Sequence, residues 1–370
     1  MIDHYFNYST HLAVDWWTRQ SFLRQWCRIY ASDRRWTPPP YWQFRRMLLS
    51  STQPMTLLHL EALPRRHAPG GFGGAVFEEP VAAVAILTDP RERARDAYLS
   101  FLHCVNDEEA LERLWGAVAE QLWAQGIQRV LGPIGPSPFL QSGVLQNFFH
   151  VTPPLHTAYN PPYLPDLCST LMEPWLHTQL YVIDCALNSR RTGEASQQPT
   201  GLEITPLKPA RLAGDLLGLW QAACLELGSF PPLETAEATL LLKWLATWPL
   251  SGWVAERHGT PLGFVLLQPD LAPSVRRAWG GRNPLWHWWL QWRSRQRCRA
   301  GRVLYGAVLP QWRGQGIGHA LWQQVLQMAQ SQGWKSLTVG PLPADSSGAK
   351  FIIEHQGRPQ QKYIIYSSEL

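Results

Sequence analysis

Arg313-Gly314-Gln315-Gly316-Ile317-Gly318 is the stretch of this 370-residue chain whose residue types and spacing could do chemistry. Three glycines alternate with larger residues. They follow an apolar run, Val303 to Leu309, that Pro310 stops, and they precede a segment whose apolar residues recur at helical spacing. The first amide hydrogens of a helix have no carbonyl partner inside it, and the aligned peptide dipoles leave partial positive charge there. Glycines let a bulky anion approach the backbone, and Arg313 adds a permanent positive charge. The predicted chemistry is a grip on a phosphate or diphosphate. The spacing G-x-G-x-G is one residue shorter than the dinucleotide fingerprint G-x-G-x-x-G, and no Gly-Lys-Ser/Thr follows, which excludes a P-loop.

The elements that must hold this turn can be read around it. Val303 to Leu309 is a strand, and Ile317, Ala320, Leu321, Val325, Leu326 and Ala329 form one face of the helix after it. Upstream, Leu202 to Leu207 reads as a strand, Ala210 to Leu227 and Thr235 to Trp248 as helices. Gly252 to Glu256 and Leu262 to Gln268 read as a hairpin through His258-Gly259. Downstream lie a strand at Ser336 to Val339, a short helix at Ser346 to His355 and a last strand at Lys362 to Tyr366. An earlier stretch repeats the order. Asp96 to Val105 is a strand, a helix follows with Leu111, Leu114, Trp115, Val118, Leu122 and Trp123 on its apolar side, Gly126 ends it, and Val130-Leu131 opens another strand. The turn between them, Asn106-Asp107-Glu108-Glu109, has inverted chemistry: its carboxylates satisfy a helix N-terminus themselves and repel a diphosphate. The first copy is therefore expected to have no working cradle.

The rest of the first half is read more coarsely. Residues 12–30 have Val14, Trp17, Phe22, Trp26 and Ile29 at roughly helical spacing; Pro38-Pro39-Pro40 forbids regular structure; Met55 to Leu60 and Ala82 to Leu87 are strands. Between them Pro69 to Ala75, PGGFGGA, is a plain turn, because no helix opens after it. Leu180 to Ala186 reads as the strand that closes this half, and the polar run Asn188 to Gly201 as a linker.

A length of 370 residues suggests two domains, and 45% hydrophobic with 16% charged residues is enough for sizeable cores. The net charge of +5 suits an anionic cofactor without demanding nucleic acid. The six cysteines, Cys27, Cys104, Cys168, Cys185, Cys224 and Cys298, lack metal spacing and read as thiols of a reducing compartment. With no signal-peptide pattern and no run of about 20 apolar residues, the expectation is a soluble, cytoplasmic protein.

Pro310, two residues, then Arg313-Gly-x-Gly-Ile-Gly resembles motif A of the GNAT N-acyltransferase superfamily. Gly132-Pro133-Ile134-Gly135-Pro136-Ser137, Gly143, Pro153-Pro154 and Tyr159-Asn160-Pro161-Pro162-Tyr163 resemble the N-terminal half of bacterial tandem GNAT proteins. The resemblance implies an α/β (α+β) fold of two GNAT-like domains, each a mixed, mostly antiparallel central sheet flanked by helices. Residues 1–187 would be a degenerate first domain, 188–201 the linker, and 202–370 the domain with the acyl-CoA site. It also implies acetyl-CoA (coenzyme A) as cofactor. The backbone of Gly306, Ala307 and Val308 would receive the pantetheine arm, and the amides of Gly314, Gln315, Gly316, Ile317, Gly318 and His319, with Arg313, the diphosphate. The Val308 N–H would face the thioester oxyanion as an amine attacks. The family's tyrosine, four residues after an alanine, falls on Ile353 counting from Ala349, and its asparagine on Ser346. Tyr305 and Glu226 are the substitutes for acid and base; His355 is expected to face solvent. The implied activity is acetyl transfer to a small-molecule or peptide amine. Transfer of a longer acyl or aminoacyl group, and a non-catalytic coenzyme A sensor, are the alternatives.

Trp279 to Arg299 holds five Trp and five Arg. It has three readings: an amphipathic helix packed on the neighbouring domain, a segment lying on an anionic membrane surface, or a contact to nucleic acid. The proline-rich loop 132–163 either walls an acceptor pocket or packs the domain interface.

Overall fold

The computed structural model describes residues 6–50, 55–64, 79–89, 96–135, 140–186, 199–224, 234–296 and 298–370. The first half supplies strands β1 (Phe6–Ala13), β2 (Met55–Pro64), β3 (Glu79–Thr88), β4 (Asp96–Cys104), β5 (Arg129–Gly132), β6 (Val144–Leu145) and β7 (Glu173–Asp184). The second supplies β8 (Glu203–Pro206), β9 (Ser251–Arg257), β10 (Thr260–Pro269), β11 (Ala300–Val308), β12 (Ser336–Pro343) and β13 (Arg358–Glu369). The helices are α1 (Trp16–Ile29), α2 (Tyr41–Ser50), α3 (Glu108–Trp123), α4 (Leu164–Leu171), α5 (Leu217–Cys224), α6 (Thr235–Leu245), α7 (Ala272–Arg277), α8 (Pro284–Ser294), α9 (Ile317–Gln332) and α10 (Ser347–Glu354).

Hydrophobic spacing and caps explain most of these elements. Asp15 starts α1: its carboxylate accepts from Thr18 N, and the Thr18 hydroxyl accepts from Asp15 N. That cap places Phe22, Leu23 and Trp26 inward and leaves Val14 and Trp17 exposed, so those two are not on the buried face expected for them. Leu12 and Ala13 end β1 instead of opening the helix. All six apolar residues anticipated on the inner face of α9 are buried, packed with Leu262, Val265, Leu267, Val303 and Leu337. His258 and Gly259, with φ of 50° and 75°, make the tight β9–β10 turn. The stretch anticipated as one helix from Ala210 breaks at Gly214 into a short turn, Pro209–Ala213, and α5. The glycine run Pro69 to Ala75 lies outside the described residues, as does most of the anticipated linker.

The two halves share one sheet of 13 strands. Its order is β1-β2-β3-β4-β5-β13-β7-β12-β11-β10-β9-β8, with β6 paired to β13. The mixed, mostly antiparallel sheets expected for the two halves are thus joined edge to edge. β7, anticipated as the strand closing the first half, pairs antiparallel with β12, from Ser336↔Asp184 to Pro343↔Thr178. β13 reaches back to pair with β5, Tyr366↔Gly132 through Glu369↔Arg129. Each half is completed by the other's last strand. Hydrophobic patterning gives a strand two faces but does not name its edge partners.

The same irregularity occurs twice. β11 and β12 pair in parallel only over Ala300–Val303 against Ser336–Val339, then part. β4 and β5 pair only over Asp96–Tyr98 against Arg129–Leu131. Just beyond, β11 has one extra residue against β10, at Leu304, and β4 has a matching bulge against β3 where Phe101 takes φ 55°. A cis Gly-Pro bond marks each second strand, at the end of β5 (Gly132-Pro133) and within β12 (Gly340-Pro341).

Arg302 is buried where β11 and β12 part. Its Nη2 donates to the Gly340 carbonyl at 3.0 Å, and its Nη1 donates to the Leu155 carbonyl of the proline-rich loop. The Leu155 and Ala272 amides donate to Asp270 Oδ1, each at 3.0 Å. The loop therefore packs into the second half. Burial pulls the Arg302 guanidinium down to about 10, with Asp270 opposing it, so it is charged at neutral pH. Arg302→Met leaves the half-buried Asp270 without that charge and both carbonyls without a donor. It is expected to lower the unfolding free energy by roughly 3–5 kcal/mol, measured by urea denaturation of the full chain.

Candidate functional site

The site begins with the open edge of β11. Leu309 N donates to the Leu262 carbonyl at 2.9 Å, so Leu309 faces β10. Antiparallel pairing alternates, so Ala307, opposite Phe264, also faces β10, while the backbone groups of Gly306 and Val308 point the other way. With β12 turned aside after Val303, that direction is the cleft between the two strands. Gly306 and Val308 thus fit the expectation of exposed strand groups. Ala307 does not, because its amide and carbonyl belong to the β10 ladder. Gly306 is exposed.

Pro310–Trp312 then forms a short turn, and Arg313 Nε donates to the Val308 carbonyl at 3.1 Å. Its Nε thus ties the turn to the strand end. Gly314 and Gly316 take φ of 73° and 80°, a region that disfavours side chains, and both are exposed with Gln315. Gly316 is the N-cap of α9 and supplies no side-chain cap; the Ala320 amide bonds the Gly316 carbonyl at 3.0 Å. The Ile317, Gly318 and His319 amides precede the first helical bond and have no partner within α9. A Cβ on Gly318 would sit 3.4 Å from the Phe351 ring, an ordinary contact distance, so packing there does not itself require glycine. Uncapped amides, positive helix end and open strand edge meet at one place.

The first copy is built oppositely. Asp107 caps α3, accepting from Ala110 N at 3.2 Å, and Glu108 and Glu109 occupy the first turn. Tyr8 Oη donates to Asp107 Oδ2 at 2.5 Å. Burial first, then Asp107, raises the pKa of that phenol, which stays protonated. A tyrosine and three carboxylates fill the position that glycines leave open in the second half.

The model of the acetyltransferase (GNAT) family matches residues 218–347, which include the cleft and the glycine turn. Among solved structures, a tandem GNAT protein from the clavulanic acid biosynthesis pathway aligns over 98% of both chains at 12% identity, with TM-score 0.61. A GCN5-related N-acetyltransferase from Sphaerobacter thermophilus aligns over 98% of this chain and 95% of its own at 12% identity, with TM-score 0.53. A search of curated proteins found no match. The chain carries a GNAT domain within a tandem GNAT fold.

Within the GNAT domain, the anticipated acid and base fare differently from the cradle. Tyr305 is 3% exposed, its ring edge-on to Trp220 at 5.2 Å, in a cluster with Leu304 and Phe264. It is a core residue and does not line the cleft as expected. Glu226 lies outside the described residues. Ile353 is 53% exposed on α10 and carries no acid, while Ser346 caps that helix, accepting from Ala349 N at 3.1 Å. His355 is half-buried instead of solvent-facing. Its Nδ1 donates to the Phe351 carbonyl at 2.8 Å, which leaves Nε2 to accept from His319 Nδ1 at 3.1 Å; Gln323 Nε2 donates to His319 Nε2 at 3.1 Å. Burial, then His355, lowers the His319 pKa, and the bond between the rings fixes His319 beside the cradle.

Sequence reasoning missed the polar group around Arg302. Gln268, its cross-strand partner, is buried with both amide atoms unpartnered, and His156 is buried with both ring nitrogens unpartnered. Burial, then Arg302, depresses the His156 pKa strongly. An arginine inside the apolar run of β11 was the visible signal.

Two cradles of opposite chemistry predict one coenzyme A site per chain. Calorimetry is expected to show a single site, abolished in Gly316→Asp, whose carboxylate would repel the diphosphate. Asp107→Asn is expected to bind as the parent does. Circular dichroism should show both variants folded.

Proposed function

We propose that this chain transfers the acyl group of an acyl-CoA thioester, first of all acetyl-CoA, to an amine by direct attack. The observation that carries this reading is the junction of the uncapped α9 N-terminus with the free edge of β11 at Gly306 and Val308. The amides of Gly314 to His319 would hold the diphosphate, and the free edge would hold the pantetheine arm as an added strand. That arrangement sets the thioester carbonyl over the Val308 amide. As the amine nitrogen bonds to the carbonyl carbon, the oxygen becomes an anion that this N–H stabilises. The C–S bond then breaks, the nitrogen loses a proton and the coenzyme sulfur gains one. With Ile353 where the family's tyrosine stands, binding and orientation carry most of the rate enhancement.

A second reading, coenzyme binding without turnover, is favoured by one observation: neither Tyr305 nor Ile353 offers a hydroxyl to the cleft. Thiol release from acetyl-CoA, measured across a panel of primary amines, separates the two. Transfer predicts release that requires an amine and disappears in Gly316→Asp. Tight coenzyme binding with no release from any amine supports the second reading. For the transferase, Val308→Pro deletes the cleft-facing amide while Ala307 and Leu309 keep their bonds to β10. It is expected to lower kcat about 10²–10³-fold with little change in KM.

A further inference from the structure

The chain has no Asp or Glu between Asp270 and Asp345, and that run contains nine Arg and one Lys. α8 lies within it. Leu290 and Ser294 face inward, and Leu290 packs with Leu155, Trp248 and Val275. Leu285, Trp288 and Trp292, spaced by three and four residues, are 77%, 68% and 50% exposed. The anticipated packing on the first half accounts for one face of α8 and leaves the other apolar and open.

Just before α8 in the chain, Trp279 and Arg282 reach the first half through ring contacts. Trp279 meets Trp36 with centroids 6.5 Å apart. The Arg282 guanidinium lies 5.6 Å over Tyr41, Tyr41 meets Trp42 at 5.4 Å, and Arg45 lies 5.7 Å over Trp42 and 5.9 Å over Trp16. Trp16, Trp17, Trp42 and Trp279 are exposed. Indoles and guanidinium groups alternate across both halves, with Asp15 the acid nearest Trp16 in the chain.

We infer that this surface docks peripherally on an anionic phospholipid bilayer. Indole rings settle at headgroup depth because they have an apolar body and one N–H. Arginines complement lipid phosphates, and long-range attraction to an anionic leaflet guides the approach. The most exposed residue of the stripe, Leu285, is an aliphatic chain that acyl tails accept and nucleic acid bases cannot stack on. Among the described residues no helix is long and apolar enough to cross a membrane, so the contact is a surface one.

Full-length protein is co-sedimented with vesicles of phosphatidylcholine alone or with added phosphatidylglycerol, at low and high salt. Binding that requires phosphatidylglycerol, weakens with salt and falls at least tenfold in Trp288→Ser/Trp292→Ser is expected, with coenzyme A affinity and melting temperature unchanged. Equal binding to both vesicles, no vesicle binding, unchanged binding in the variant, or binding to a single-stranded oligonucleotide without binding to vesicles would overturn it.

On β1 and β2 a separate group of side chains converges. His11 and His59 are direct cross-strand partners, and Glu61 follows two residues along on the same face. His59 Nε2 lies 3.1 Å from Glu61 Oε1 and His11 Nε2 3.6 Å from Oε2, and one donor atom from each of the three falls within 4.8 Å of the others. Gln25 Nε2, from α1, donates to Glu61 Oε1 at 2.8 Å. Glu61 and His59 are buried, whereas the His11 side chain is 42% exposed. Among the described residues the ion-pair partners of this buried carboxylate are the two imidazoles.

The geometry points to a divalent transition-metal site of the zinc type: two imidazole nitrogens, the Glu61 carboxylate, and water on the open His11 side. Bonds of about 2.0–2.1 Å in a tetrahedral set put donor atoms roughly 3.3 Å apart; His59 Nε2 lies 3.1 Å from one Glu61 oxygen and His11 Nε2 3.6 Å from the other, and one donor atom of each residue lies within 4.8 Å of the others. Gln25 holds the carboxylate from the outer shell. Protein stripped with a chelator and dialysed against Zn²⁺ or Co²⁺ is expected to retain one equivalent per chain, show visible d–d absorption with Co²⁺, and melt higher. His11→Gln, at an exposed position, keeps the fold and loses the metal. No retained metal, or wild-type stoichiometry in His11→Gln, would overturn the assignment.

Discussion

A parallel strand pair that stops pairing after four residues governs this molecule. Backbone amides and carbonyls inside a sheet need partners, and the parting of β11 from β12 denies strand partners to Gly306 and Val308 on one side, where Arg313 takes up the Val308 carbonyl. The bulge at Leu304 adjusts which groups face the gap. Arg302 spans its closed end by bonding the Gly340 carbonyl and, through Leu155, the loop of the other half. The glycine turn after Pro310 then brings a helix end, equally short of partners, next to the free strand edge. A ligand with a diphosphate and amide groups along a chain complements both.

The two halves share a plan and divide the work by side-chain chemistry. Each has the bulged strand, the short parallel pairing and the helix that follows. In the second half the helix end is bare glycine backbone; in the first it is capped by Asp107 and covered by Tyr8. A capped helix end is the more stable arrangement by itself; the first half closes its helix end, while the second keeps its amides open. Exchange of β7 and β13 ties the halves together: the outer edge of β12 is covered by β7 from the first half.

The side chains anticipated as acid and base are the least legible part. Tyr305 stood at a plausible position along the strand, but the Leu304 bulge and the packing of Trp220 place its ring in the core. His355 had no local signal, since its partner His319 is 36 residues away and the two meet only when α10 packs on α9. β1, α2 and α4 were missed as well: YWQFRRMLLS and LPDLCSTL are short and mix polar with apolar residues, and β1 gains its identity only by pairing with β2.

By itself the sequence determined the local features: the strand that Pro310 ends, the inner face of α9, the glycines at 314 and 316 where φ is positive, and the acids that close the earlier turn. Each depends on neighbours within a few residues, where periodicity, capping and steric exclusion act. The tertiary structure alone decided which strands are neighbours, which face of β11 is open, that Ala307 turns toward β10, and that one sheet joins the halves. Those outcomes depend on contacts between residues far apart in the chain, from Phe264 with Ala307 to Gly132 with Tyr366, and a strand's hydrogen-bonding groups are the same whichever partner it finds.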